Sequence, residues 1–122
     1  MIHYYLFLDD RRSLQQISAM TNDTSYLDRE WIIVKSYDEF VSTIKETFER
    51  KHFPLMVSFD NDLGYETPQD EKTGYDCAKW LVDFCMDNKL EFPKYKVHSQ
   101  NPVGQENIIS YLDNYIKNSK RV

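Results

Sequence analysis

Two close pairs of aspartates in this chain each stand at the end of an apolar run. Leu6-Phe7-Leu8 leads into Asp9-Asp10, and Leu55-Met56-Val57-Ser58-Phe59 leads into Asp60-Asn61-Asp62. A third run, Tyr95-Lys96-Val97, leads into His98-Ser99 and then Asn101-Pro102. Asp-x-Asp at a tight turn gathers carboxylate oxygens of the kind that hold hard divalent cations, Mg²⁺ or Mn²⁺. Four carboxylates around one cleft repel each other and call for a cation or shared protons. Asp9, Asp10 and Asp60 are the expected metal ligands. His98 is the expected general acid or base, because a histidine side chain can change charge near neutral pH. Ser99, Asn101 and the backbone N–H groups from Val103 onward would bind phosphate oxygens at a helix N-terminus. Gly104 allows close approach there, and Asn107 faces the same end one turn on. Arg12, just past the first acidic pair, is the fixed cation best placed for an anionic ligand. Each motif also has a plainer reading. Asp9-Asp10 could be turn residues, His98 a strand terminator, Ser99 a helix-capping aid, Arg12 a solvated surface arginine, and Thr73 with Asp76 a capping pair.

These residues can act together only if the fold brings them together. The segments that precede them alternate with helical patterns, which implies β-then-α units and a parallel sheet. Strands are read at residues 2–8, 31–34, 55–59 and 95–98. Ser13 with Gln16, Ser36 with Glu39, and Thr73 with Asp76 are capping boxes for three helices. Asn101 and Pro102 open a fourth, with the proline at a position where its missing N–H costs nothing. Apolar residues recur at helical spacing: Leu14, Ile17 and Met20; Tyr37, Phe40, Val41, Ile44 and Phe48; Ala78, Leu81, Phe84 and Cys85; Ile108, Ile109, Leu112, Tyr115 and Ile116. Residues 21–30 lack periodicity and read as loop, residues 64–73 read as a mobile loop beside the site, and the basic tail from Lys117 to Val122 is expected to fray.

Right-handed crossovers give a doubly wound α/β sandwich of three layers around a four-stranded parallel sheet, in strand order 2-1-3-4. The order reverses between the first and third strands. Ligands bind at such a switch point, beyond the C-terminal ends of the strands. Asp9, Asp10, Asp60 and Asp62 should therefore share one cleft, most of them within roughly 10 Å given a strand spacing of about 4.8 Å, with His98 at its rim.

The 122 residues suffice for one domain, residues 1–122, with an ordinary apolar share and no internal repeat. A net charge of −5 argues against a broad basic face gripping duplex DNA, though not against a small nucleotide or an RNA end. No window reaches the apolar length of a membrane span. The N-terminus enters a strand-like run directly instead of a basic segment followed by a long apolar one, so a cytoplasmic location is expected. Cys77 and Cys85 lie eight apart on one predicted helix. About 12 Å then separates their Cα atoms, too far for a disulfide, and both are expected to be buried apolar residues.

Leu-Asp-Asp-x-Arg at 8–12, Phe-Asp-x-Asp-Leu-Gly at 59–64, Thr-Gly-x-Asp at 73–76 and His-Ser-x-Asn-Pro-x-Gly-x-x-Asn at 98–107 together resemble the cyclic-phosphate-processing receiver-like domain of bacteria and their phages. That family is related to two-component receivers. The resemblance spans nearly the whole chain. It implies a receiver-like, flavodoxin-like fold and one active site processing cyclic phosphates such as those at RNA ends, in a bacterium or a phage-infected bacterium. Carried over, the site comprises Asp9, Asp10, Arg12, Asp60, Asp62, Asp76, His98, Ser99 and Asn107. The chain departs from the family where a histidine often stands between the two aspartates of the third-strand motif; here it is Asn61. His98 is then the remaining histidine for proton transfer, and Asp62 would have to supply the other step.

The expected function is thus a metal-dependent phosphoesterase acting on a cyclic phosphate. The alternatives are a receiver-like phosphoacceptor and a phosphate- or nucleotide-binding module without catalysis. The phosphoacceptor ranks second because no fifth strand ending in the receiver lysine is read here.

Overall fold

The computed structural model describes residues 1–63 and 72–119. Four parallel strands, β1 (Ile2–Leu8), β2 (Ile32–Val34), β3 (His52–Phe59) and β4 (Lys94–Val97), form one sheet in the order β2-β1-β3-β4. Four helices follow them in turn: α1 (Leu14–Thr21), α2 (Tyr37–Glu49), α3 (Gly74–Asp87) and α4 (Pro102–Ser119). This is the doubly wound, receiver-like (flavodoxin-like) order expected from the sequence. No helix among the described residues is long and apolar enough to cross a membrane.

Side-chain alternation along β1 explains the two layers. Leu6 and Leu8 point to the face covered by α2, α3 and α4, where they meet Phe40, Ile44, Val57, Phe59, Leu81, Ile108 and Leu112. Phe7, between them in sequence, points to the other face and packs with Ile17 of α1, Tyr26 and Trp31. All three β1 residues are fully buried, and each such side chain contributes about 1.5–3 kcal/mol through removal from water. Cys77 and Cys85 are free and buried on the first face. Burial raises both thiols, Cys85 up to about 12, so they stay protonated and inert.

The helix starts follow the local chemistry. Reciprocal capping boxes form at Ser13–Gln16 and at Thr73–Asp76. At Ser36 the forward half forms, with the Glu39 N–H donating to Ser36 Oγ at 3.1 Å, while Asp38 and Glu39 favour the positive end of α2.

Two segments depart from the sequence reading in ways that bear on the site. β3 starts at His52, three residues before the expected Leu55, and pairs with β1 from Ile2 onward. The register slips between Tyr4 and Tyr5, leaving Leu55 as the extra residue beside Pro54. A proline cannot donate to the ladder, and a bulge accommodates it. Residues 21–30 are more than loop: a 3-10 turn at Thr24–Tyr26 drives Tyr26 into the core at 2% exposure. Most of the loop expected at 64–73, together with Gly64 of the third-strand motif and the end of the tail, lies outside the described residues.

Candidate active site at the carboxyl edge of the sheet

Each motif residue is pinned by the last carbonyl of the neighbouring strand. The Asp9 N–H donates to Val34 O at 3.1 Å, the Asp60 N–H to Leu8 O at 3.0 Å, and the His98 N–H to Phe59 O at 2.9 Å. The parallel ladder therefore continues one residue past β1, β3 and β4. It aligns Asp9, Asp60 and His98 at one height on three adjacent strands. One ligand atom from each lies within 4.8 Å of the others, and all three residues are buried.

The cleft above them is lined by Asp9, Asp10, Arg11, Arg12, Asp60, Asp62 and Gln100. The four carboxylates and Arg12 thus converge as the switch-point argument requires. Arg11 and Gln100 were not foreseen; only their adjacency to the motifs signals them. The cavity holds about 30 Å³, room for an ion or a water or two, so a phosphoryl group would sit at its mouth. A larger groove of about 760 Å³, between residues 89–95 and the end of α4, gathers none of the motif residues.

Asp9 is held on every side. Its Oδ1 accepts the backbone N–H groups of Arg11 at 2.9 Å and Arg12 at 2.8 Å, and its Oδ2 lies 3.1 Å from His98 Nε2. Burial alone would raise its pKa, but these bonds from His98, Arg12 and Arg11 outweigh burial and hold it below the usual carboxylate range. Asp60 is compensated too little. Burial, then repulsion from Asp9 and Asp10, pushes its carboxyl up to about 7, against the smaller pull of the Asn61 N–H and Arg12.

His98 sits beneath the cleft, where a rim position was expected. Its side chain is 0% exposed. The ring stacks on Phe7, with centroids 4.8 Å apart and planes 9° from parallel, and its Nδ1 is 2.7 Å from Ser58 Oγ. The register explains the depth. Phe7 on β1 pairs with Ser58 on β3, which pairs with Lys96 on β4. The small serine leaves the space through which the His98 ring reaches Phe7. Tyr26 closes the far side, its hydroxyl 2.7 Å from Ser58 Oγ. Sequence reading missed both hydroxyls. The available signals were one polar residue interrupting Val57-Ser58-Phe59 and one aromatic in a polar stretch.

The start of α4 is capped from within. Asn101 Oδ1 accepts the N–H groups of Val103 and Gly104, each at 3.1 Å, while Ser99 Oγ accepts the Asn101 N–H at 3.1 Å. The donors expected to bind phosphate are thus engaged, and a phosphate there would have to displace the Asn101 side chain. Asn101 Nδ2 also donates to Asp62 Oδ1 at 3.3 Å, and Asn61 Nδ2 donates to the same oxygen at 3.2 Å. Asp62 is exposed at the mouth. Asp76 closes the α3 capping box, accepting the Thr73 N–H at 2.8 Å, and pairs with Lys79. Asn107 is exposed on α4. Neither Asp76 nor Asn107 is among the described residues that line the cleft.

Comparison with family models matches residues 4–114 to the cyclic-phosphate processing receiver domain. Comparison with curated proteins and with solved structures finds no match.

Proposed function

Because the chain belongs to the family of cyclic-phosphate processing receiver domains, we propose that it is a phosphoesterase that opens a cyclic phosphate, on an RNA end or a nucleotide, at the mouth of this cleft. The observation that carries the reading is Asp60, a buried carboxyl raised to about 7 by its surroundings, with Asp9 and Asp10 as the repelling neighbours. A site that crowds three carboxylates is poised to take a cation or a proton.

The residues fit a divalent metal with a preference for oxygen, Mg²⁺ or Mn²⁺. Asp9 keeps a lone pair on Oδ2 beyond its bond to His98, and Asp10 and Asp60 face the same cavity. When bound, such an ion would polarise a phosphoryl oxygen and acidify a bound water. The chain's own groups do the rest. Arg12 pairs with the anionic phosphoryl group and stabilises the charge that develops on it. Asp62, oriented by the amides of Asn61 and Asn101, takes a proton from the attacking water at the mouth and returns it to the ester oxygen released as the ring opens. His98, with both ring nitrogens engaged, works through Asp9, whose carboxylate it orients.

A hydrolysis screen of cyclic and linear phosphate esters, with Mg²⁺, Mn²⁺ or a chelator, tests the proposal. Turnover of a 2′,3′-cyclic phosphate that the chelator abolishes is the expected result. Absence of turnover on every ester and ion would sink it. The second reading, a phosphoacceptor at Asp60, is favoured by the position of Asp60 at the end of β3 beside an acidic pair. It is disfavoured by that same carboxyl's burial, 5% exposed, which limits the approach of a phosphodonor.

A further inference from the structure

We infer that Tyr26 and Ser58, two hydroxyls outside the cleft, are positioning residues that lock the His98 ring so that it orients Asp9. The inference rests on the reading of the cleft as the place of phosphate chemistry. It is carried by an unbroken line of short bonds: Tyr26 Oη to Ser58 Oγ at 2.7 Å, Ser58 Oγ to His98 Nδ1 at 2.7 Å, and His98 Nε2 to Asp9 Oδ2 at 3.1 Å.

The direction of the line follows from donor counting. Asp9 takes two backbone N–H groups on Oδ1, the environment of a carboxylate acceptor. His98 Nε2 must therefore carry the proton it donates to Oδ2. In the neutral ring Nδ1 is then an acceptor, and Ser58 gives it its single hydroxyl proton. Ser58 Oγ in turn accepts from Tyr26, which gives its own. Each proton has one destination, and no buried side-chain nitrogen or oxygen among the described residues lacks a partner. With a proton on Nδ1 instead, one hydroxyl proton would find no acceptor along the line: that of Tyr26 if Ser58 donates to it, or that of Ser58 if it accepts from both neighbours. A partner on the far nitrogen of a histidine commonly fixes the ring's tautomer and orientation in this way.

Tyr26 is itself clamped. Asp23 Oδ1 accepts the Ser25 N–H at 3.0 Å and its hydroxyl at 2.7 Å. Lys96 pairs with Asp23, donates to Ser25 Oγ at 2.6 Å, and lies 5.2 Å from the centre of the Tyr26 ring. Trp31 donates to Ser25 O at 3.2 Å and stacks against the Tyr26 ring. The turn at Thr24–Tyr26, remote from the cleft in sequence, thus holds one end of the line that reaches Asp9.

The test uses full-length protein with nitrogen-15 histidine, the His98 signals being assigned by their loss in His98→Gln. The expected wild-type ring is the Nε2–H form, with a sharp proton slow to exchange with water. Ser58→Ala should lose that protection, and Tyr26→Phe should lose part of it. Ile17→Val, a packing change in the same aromatic cluster, should lower the melting temperature yet keep it. In steady-state kinetics on a cyclic phosphate, Ser58→Ala should lower kcat about tenfold with KM little changed. A wild-type proton on Nδ1 would overturn the inference. So would full protection in Ser58→Ala, or equal loss in Ile17→Val. The ring measurements need no turnover. If they come out as expected while wild type hydrolyses nothing, the positioning stands and the phosphoesterase reading fails; turnover with an unprotected wild-type ring has the reverse meaning.

Discussion

Asn61 occupies the space that a side chain on Gly104 would need: a Cβ built there would lie 2.3 Å from Asn61 Nδ2 and 2.8 Å from Asn61 Cβ. The contact lets the N-terminus of α4 close on the turn after β3, which brings Asn101 within reach of Asp62. In an ordinary helix Gly→Ala would stabilise by about 1 kcal/mol. Here Gly104→Ala must push Asn61 or the helix aside, and a destabilisation of about 1–3 kcal/mol is expected. Gly74 makes an even closer approach, to the carbonyl of Asp60. Urea unfolding checks the sign for Gly104→Ala, and a more stable variant would contradict this account of the contact.

Asp60 makes stability depend on pH in a stated direction. Its folded pKa, about 7, lies above the ordinary value of 3.8. The folded state therefore binds the extra proton, and without metal stability falls as pH rises from about 4 through about 7. The loss is on the order of 2–4 kcal/mol. Asp60→Asn should flatten this fall and leave the metal-free protein more stable than wild type at pH 8. Mg²⁺ or Mn²⁺ should raise the wild-type melting temperature most above pH 7, where the carboxylate is free to bind it, and should do little for Asp60→Asn. Thermal melts across pH, with and without millimolar cation, decide it. Indifference of wild type to both ions would remove the metal from the proposal.

Much of this site was legible before any coordinates, and the reason is physical. Strand order follows from crossover handedness, and the placing of Asp9, Asp10, Asp60 and Asp62 follows from strand order. The boxes at Ser13 and Thr73 are local, three residues long, and readable from residue types. What escaped depends on pairing at long range. His98 lies deep because Ser58, forty positions earlier, is small. Tyr26 is a core residue because Lys96 and Trp31 fasten its turn. Asn101 was readable as a cap, but its use of both free N–H groups of α4 became evident only from its side-chain geometry. The early start of β3 needed a bulge at Pro54, which no alternation pattern announces.

If His98 acts through Asp9, the two residues form one unit and their losses should not add. His98→Ala and Asp9→Asn should each lower kcat/KM by about 10–100-fold. The double variant should lose scarcely more than the worse single one, because the second change removes a group already misplaced. His98→Ala should also cost stability, since it empties a site stacked on Phe7. A double variant whose loss equals the product of the two singles would show that His98 touches the chemistry independently, as a direct acid or base would.

The carboxyl of Asp60 also separates an esterase from a receiver. A receiver needs that oxygen as a nucleophile toward a small phosphodonor such as acetyl phosphate. Here it is 5% exposed and raised to about 7 by burial, Asp9 and Asp10. Burial leaves a phosphodonor little access to that oxygen, and bound metal would occupy it. Incubation with acetyl phosphate and Mg²⁺ should leave the intact mass unchanged, whereas the same preparation should open a 2′,3′-cyclic phosphate. Arg12→Ala should weaken that second activity mainly through KM, because the guanidinium pairs with the phosphoryl charge in the ground state as well as the transition state. A phosphoryl adduct on Asp60, lost in Asp60→Asn and accompanied by no ester hydrolysis, would reverse the assignment. It would make the acidic cleft a phosphoacceptor site.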